Sequence, residues 1–247
     1  MAKSNKFVVI GANGGIGAEL CRRLVCDGHQ VTLAGRNETA LRELSDELDQ
    51  PIEIVDATSI EQVESCLQRA ADTTGSLGGV VNCAGSVLLK PAHLTTPDEW
   101  HATIATNLTS AFATVRAAFP LMRKEGGSIV LLSTAAARTG IPNHEAIAAA
   151  KAGVIGLMQS AAATYAAKNV RVNAVAPGLV QTNLTERIWS NEKAAAASRG
   201  MHALGRLGSA ADVASMIAWL LQEENSWITG QVFGVDGGLA TLRTTPR

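Results

Sequence analysis

The sequence predicts an α/β domain in which seven strands form a mainly parallel, doubly wound sheet with helices on both faces. Three observations predict it. Short β-branched runs alternate with longer helical patterns almost from end to end, and strands that alternate with helices join through right-handed crossovers. Several runs, such as Val8-Val9-Ile10 and Ile129-Val130-Leu131-Leu132, are apolar on nearly every residue, as a strand covered by helices on both faces must be. The 247 residues carry no internal repeat, low-complexity tract or linker, so they read as one domain.

Taken in order, strand Lys6–Gly11 ends in a glycine and leads into helix Gly17–Cys26. Strand Gln30–Gly35 precedes helix Glu38–Leu48, and strand Ile52–Asp56 precedes helix Ile60–Thr73. Strand Gly79–Cys83 is followed by helix Asn107–Arg123, and strand Ser128–Ser133 by helix His144–Lys168. Strand Val170–Val175, helix Ala210–Leu221 and strand Gln231–Val235 complete the pattern. The stretch Leu184–Leu207 has no clear period: it is polar at its start and rich in alanine. Near the carboxyl ends of the late strands it reads either as a lid over a ligand, with Leu184, Ile188, Trp189 and Met201 as apolar pocket candidates, or as a plain surface connection.

Composition narrows the function classes. A hydrophobic share of 47% with 17% charged residues fits a folded, enzyme-like protein. With 21 basic and 22 acidic residues the formal charge is -1, which leaves no electrostatic footprint for nucleic acid or an anionic membrane. No window reaches the ~18 uninterrupted apolar residues that span a bilayer. Cys21, Cys26, Cys66 and Cys83 lack metal-ligand spacing and disulfide density, so they read as reduced core thiols of a soluble, cytoplasmic protein.

The strongest local signal is Gly11-Ala12-Asn13-Gly14-Gly15-Ile16-Gly17, between a strand and a helix. Glycines there allow a tight turn, close approach of backbone to a pyrophosphate and close packing of helix on sheet. The free N–H groups and positive dipole end of the helix favour the phosphates. This is a Rossmann-type dinucleotide loop by context as well as by spacing. NAD sites place a carboxylate at the end of the second strand; here that strand ends Gly35-Arg36-Asn37. Arg36 suits a 2′-phosphate, which selects NADP(H), or else is a solvated charge opening the next helix.

With these residues in hand, the chain resembles the short-chain dehydrogenase/reductase family over nearly its whole length. Gly11, Gly15 and Gly17 are similar to its cofactor loop, Asp56 (with Ala57 beside it) to its adenine contact, and Asn82-Cys83-Ala84-Gly85 to its Asn-Asn-Ala-Gly turn. Asn107 matches its helix asparagine, and Asn173 to Gly178 matches the segment beside the nicotinamide, so Pro177, Gly178, Val180 and Thr182 join the implied cofactor set. Thr229-Gly230-Gln231 and Val235-Asp236-Gly237-Gly238 also resemble the family's ending.

The resemblance implies a Ser–Tyr–Lys catalytic set helped by an asparagine. Lys151 matches the lysine and Asn107 the asparagine, while the serine position holds Thr134. The tyrosine position, four residues before Lys151, holds Ile147. The lone tyrosine, Tyr165, lies 14 residues beyond Lys151, about 21 Å along a helix, and is read as a packing residue. His144 lies seven residues before Lys151, on nearly the same helix face, and its surroundings resemble the enoyl-acyl-carrier-protein reductase branch, which puts its tyrosine there. His144 is thus either a substitute proton donor or a helix-start residue bonded locally. Two functions stay open: an NADP(H)-dependent oxidoreductase acting on a carbonyl or enoyl small molecule, and a catalytically silent dinucleotide sensor or scaffold. The resemblance also implies a homo-oligomer, a tetramer or dimer, with the long helices and their alanines Ala146, Ala149, Ala161 and Ala162 at an interface.

Overall fold

Strand order follows from which runs can be enclosed on both sides. The computed structural model describes residues 6–74 and 76–243. Its seven strands are β1 (Lys6–Ile10), β2 (Gln30–Gly35), β3 (Ile52–Ile54), β4 (Gly79–Asn82), β5 (Gly127–Leu132), β6 (Val170–Pro177) and β7 (Val232–Val235). They form one sheet in the order β3-β2-β1-β4-β5-β6-β7, parallel throughout. Register pairs Val9 with Leu33 on one side and with Val81 on the other, so the most apolar runs stack at the centre.

Alternate residues serve opposite layers. Val8, Ile10, Val80, Ile129 and Leu131 face α3 (Ile60–Thr74), α5 (Ser110–Met122) and α6 (Glu145–Tyr165). Val9, Leu33, Val81, Val130 and Val175 face α1 (Gly15–Cys26), α2 (Glu38–Leu48) and α9 (Ala210–Leu221). Side chains such as Ile10, Leu33 and Leu131 are fully enclosed. The chain runs outward in one direction after β1 and in the other after β4, which opens a crevice at the carboxyl ends of those two strands.

The structure corrects several expectations. The predicted helix Asn107–Arg123 is the far part of a longer run that begins with α4 (Pro97–Ile104), and Asn107 sits inside a π-helical turn, Ala105–Thr109, that joins α4 to α5. The start of α4 is set by a capping box: Thr96 accepts from the Glu99 N–H while the Glu99 carboxylate accepts from the Thr96 N–H, with Pro97 in the first turn. The aperiodic Leu184–Leu207 stretch contains α7 (Glu186–Trp189) and α8 (Glu192–Met201), the latter capped by Asn191. Strand three stops at Ile54, short of Asp56. Of the interface alanines, Ala146, Ala161 and Ala162 are buried in the chain's own core, and Ala149 alone is exposed. Cys26 is exposed and Cys83 partly so, leaving Cys21 and Cys66 as the buried core thiols.

α6 buries a stripe at helical spacing, Ala146, Ile147, Ala150, Lys151, Val154, Met158, Ala161 and Ala162, against β5 and β6. Among the described residues it is the one helix long and apolar enough to cross a membrane by length and composition. Tyr165, at its end, stacks on Phe119 with ring centroids 4.0 Å apart, the packing role expected of it.

Candidate active site

The crevice is a cleft of about 350 Å³ lined by Gly11, Asn13, Gly14, Gly15, Ile16, Gly17, Gly35, Arg36, Asn37, Asp56, Ala57, Ala84 and Gly85, with Thr106, Thr182 and Leu184 on its far rim. Its floor has no room for side chains. Gly11 has φ +80°, and a Cβ there would lie 2.8 Å from the Ala84 backbone nitrogen. A Cβ on Gly17 would lie 2.2 Å from the Gly11 carbonyl oxygen, so α1 packs on the loop through glycine. The helix starts at Gly14 with no capping side chain and no acidic residue in its first turn. Its first N–H groups have no intrahelical acceptors and face the cleft without competition from a carboxylate. Glycine cradle and bare helix start together fit a pyrophosphate.

At one end, Arg36 is exposed beyond β2 and forms no ion pair among the described residues. Asp56 stands nearby. The Thr58 N–H and hydroxyl each donate to its Oδ1 at 2.9 Å, and these bonds hold its carboxyl below the usual range, with a smaller pull from Arg36. Asn37, expected at the cofactor, lines the cleft but uses its side-chain oxygen to cap α2, accepting from the Ala40 N–H at 3.1 Å.

At the other end, three elements meet around Gly85. A Cβ built there would lie 3.2 Å from Asn107 Oδ1 and 3.6 Å from Lys151 Nζ. Asn107, 1% exposed, accepts from the Ser86 N–H and donates to Ser86 Oγ and the Thr103 carbonyl. Lys151 donates to the Leu132 carbonyl at 2.8 Å, and its own carbonyl accepts from the Ser133 hydroxyl, which fixes α6 on the end of β5. Burial pushes the Lys151 pKa down from 10.5 to about 8, with the Cys83 thiol opposing the fall. Burial likewise pushes the Cys83 thiol up to about 12.

Thr134 follows β5. Its hydroxyl donates weakly to the Pro177 carbonyl at 3.4 Å and accepts from the Ala136 N–H. Ile147 is buried, 5% exposed, and brings no polar atom. His144 is the N-cap of α6, after Asn143 in the left-handed region (φ 63°). Its Nδ1 lies 2.8 Å from the Pro142 carbonyl and must donate to it, the local bond of a helix-start residue, which leaves Nε2 unengaged.

A model of the family described as Enoyl-(Acyl carrier protein) reductase matches residues 11–240. Curated relatives agree: the short-chain dehydrogenase/reductase aba4 of Botryotinia fuckeliana is 32% identical over 257 residues, covering 95% of this chain and 96% of that one. The chain belongs to the short-chain dehydrogenase/reductase family. The 3-oxoacyl-[acyl-carrier-protein] reductase FabG of Thermotoga maritima is 36% identical to this short-chain dehydrogenase/reductase over 75% of each chain. Among solved structures, a short-chain type dehydrogenase/reductase from Mycobacterium ulcerans superposes with a TM-score of 0.94 at 31% identity, covering 99% of this chain and 92% of that one. ElxO with NADP bound superposes with a TM-score of 0.91 at 28% identity, covering 97% and 100%.

Within this family member, the glycine loop, Arg36, Asp56, Ala57, Ala84, Gly85 and Thr182 share one cleft. Asn82 does not join them. It is 3% exposed and turned inward: Nδ2 donates to Ser110 and Thr114, and Oδ1 accepts from the Ala84 N–H, so it shapes the Ala84–Gly85 turn from behind. Val180 is buried, and Gly178 lines a neighbouring cavity with His202 instead of the glycine cleft. Sequence reasoning missed Ser86, Ser133 and Thr106; the first two bond to partners 21 and 18 residues away, which no local pattern reveals. Trp189, expected as an apolar pocket residue, instead uses its indole N–H to donate to the Thr182 carbonyl and ties α7 to the cleft.

Proposed function

We propose that this short-chain dehydrogenase/reductase is an NADP(H)-dependent oxidoreductase that reduces a carbonyl or enoyl small molecule with an atypical catalytic set. The observation that carries it is the pairing of a glycine cleft edged by Arg36 with a buried, carboxylate-free Lys151 beside Asn107 at the same turn. The glycines and the start of α1 would hold the pyrophosphate, Arg36 the 2′-phosphate, Asp56 the adenine and Lys151 the ribose next to the nicotinamide. The bound cofactor supplies a hydride.

The chain's own groups must then manage charge on the substrate oxygen. Thr134 can turn its weakly engaged hydroxyl toward that oxygen, and the free Nε2 of His144, after taking a proton from solvent, can pass it to that oxygen while Nδ1 stays bonded to Pro142. Reduction of an activated double bond generates an enolate, which needs hydrogen-bond donors more than a full proton at the moment of transfer. That demand tolerates Ile147 better than ketone reduction does and favours enoyl substrates. The cytoplasmic location, the lack of nucleic-acid or membrane partners and a tetrameric or dimeric assembly belong to the same reading; near-zero net charge and free cysteines support it.

A second reading, a dinucleotide sensor without turnover, is favoured by Ile147 alone. The test is NADPH oxidation with short 3-oxoacyl and 2-enoyl thioesters, on wild type and Lys151→Ala. Turnover on either thioester, lost in Lys151→Ala, supports the enzyme. Tight NADPH binding with no oxidation on either supports the sensor.

A further inference from the structure

We infer that His202 is a positioning residue for the nicotinamide end of the cleft, acting through the Pro177–Leu179 turn; this rests on the cofactor reading above. His202 ends α8 and is 3% exposed. Its Nδ1 donates to the Ser198 carbonyl at 2.7 Å, and its Nε2 accepts from the Leu179 N–H at 3.2 Å. These two partners assign the ring: the proton sits on Nδ1 and Nε2 is bare.

The ring is clamped as well as bonded. A Cβ on Gly178 would lie 2.5 Å from Nε2, and one on Gly237 3.4 Å from the His202 Cβ. Glycine at both places lets the imidazole wedge between the turn after β6 and the turn after β7. The Gly178 N–H donates to the Val235 carbonyl and the Leu204 N–H to the Gly237 carbonyl, so α8 and both turns meet on this one side chain. On its other side the β6 turn receives only the long 3.4 Å bond from the Thr134 hydroxyl to the Pro177 carbonyl. The turn that the family resemblance sets beside the nicotinamide is therefore held chiefly by the imidazole at the end of α8, with the Thr134 hydroxyl after β5 as a weaker second contact. Without an acceptor at Nε2, the Leu179 amide loses its partner and the turn loses its register against Thr134.

Two polar variants separate this from general damage. In His202→Asn the amide nitrogen can still donate to Ser198 but nothing reaches Leu179; in His202→Gln the side-chain oxygen can accept from Leu179. Binding is measured for NADP+, which spans the whole cleft, and for 2′,5′-ADP, which covers only the Arg36 half. Backbone hydrogen exchange over residues 177–182 is measured without ligand. The expected result is that His202→Asn weakens NADP+ about tenfold and speeds exchange while leaving 2′,5′-ADP unchanged, and that His202→Gln restores both NADP+ affinity and exchange. Equal weakening of both ligands, or unchanged NADP+ binding and exchange in His202→Asn, would overturn the assignment. Wild type that bound neither ligand would overturn the cofactor reading instead, and the exchange contrast would still decide whether His202 holds the turn.

Discussion

Lys151 carries a charge that the fold does not neutralise, and that has a measurable consequence for stability. Lys151 is buried, 7% exposed, and its ammonium donates to the Leu132 carbonyl. Burial lowers its pKa from 10.5 to about 8. A lysine depressed in the folded state costs stability in full below its folded pKa, and the cost fades as pH rises to the unfolded value. Between about pH 8 and 10.5 the unfolded chain binds the extra proton, so stability attributable to this group rises with pH. The full swing is about 3 kcal/mol at 1.36 kcal/mol per pKa unit, and about 2 kcal/mol of it falls between pH 7.5 and 9.5. Raised thiol pKa values at Cys21, Cys66 and Cys83 act in the opposite direction, because unfolded thiolates form above about pH 8.5. Lys151→Met removes the lysine contribution and keeps the thiols, so the difference between wild type and variant isolates it. In urea unfolding at pH 7.5 and 9.5, wild type is expected to gain about 2 kcal/mol on Lys151→Met over that interval. A difference that stays flat, or that moves toward the variant, refutes a buried and uncompensated ammonium.

Other substitutions test the remaining parts. Gly17→Ala drives a Cβ onto the Gly11 carbonyl and is expected to cost about 1–3 kcal/mol in urea unfolding and to weaken NADPH binding; wild-type values for both contradict the cradle. His144→Phe keeps the ring volume without a nitrogen, and turnover is expected to fall about a hundredfold with nucleotide affinity intact; unchanged turnover removes His144 from the chemistry. Leu33→Ala empties a fully enclosed site between β2 and α1 and is expected to cost about 2–5 kcal/mol, read from the unfolding midpoint.

What the sequence disclosed depended on how local the cause was. β1, the glycine turn and α1 are consecutive, so spacing and context revealed them together. The sheet was legible because Val8-Val9-Ile10 and Ile129-Val130-Leu131 leave no polar face. α4 was missed although Thr96, Pro97 and Glu99 announce its start; a capping box preceding a weakly apolar helix is easily passed over. α8 was missed because its alanines form helix readily but bury only Ala195 and Ser198, too little for a periodic stripe. Asn82 and Asn37 were assigned to the cofactor by motif position; the Asn82 side chain turns inward to Ser110 and Thr114, while Asn37 lines the cleft with its side-chain oxygen capping α2 at the Ala40 N–H. His202 was invisible because the Leu179 N–H that gives it a role lies 23 residues away.

The central claim is that the cleft at Gly11–Gly17 takes NADP(H) and that Arg36 selects it. The most direct measurement is a fluorescence titration of NADPH and NADH on wild type and Arg36→Ala. Loss of charge-assisted bonds to a 2′-phosphate predicts that wild type binds NADPH at least tenfold tighter than NADH, roughly, and that Arg36→Ala binds the two alike. A wild type with no preference for NADPH, or a preference that survives Arg36→Ala, would contradict it.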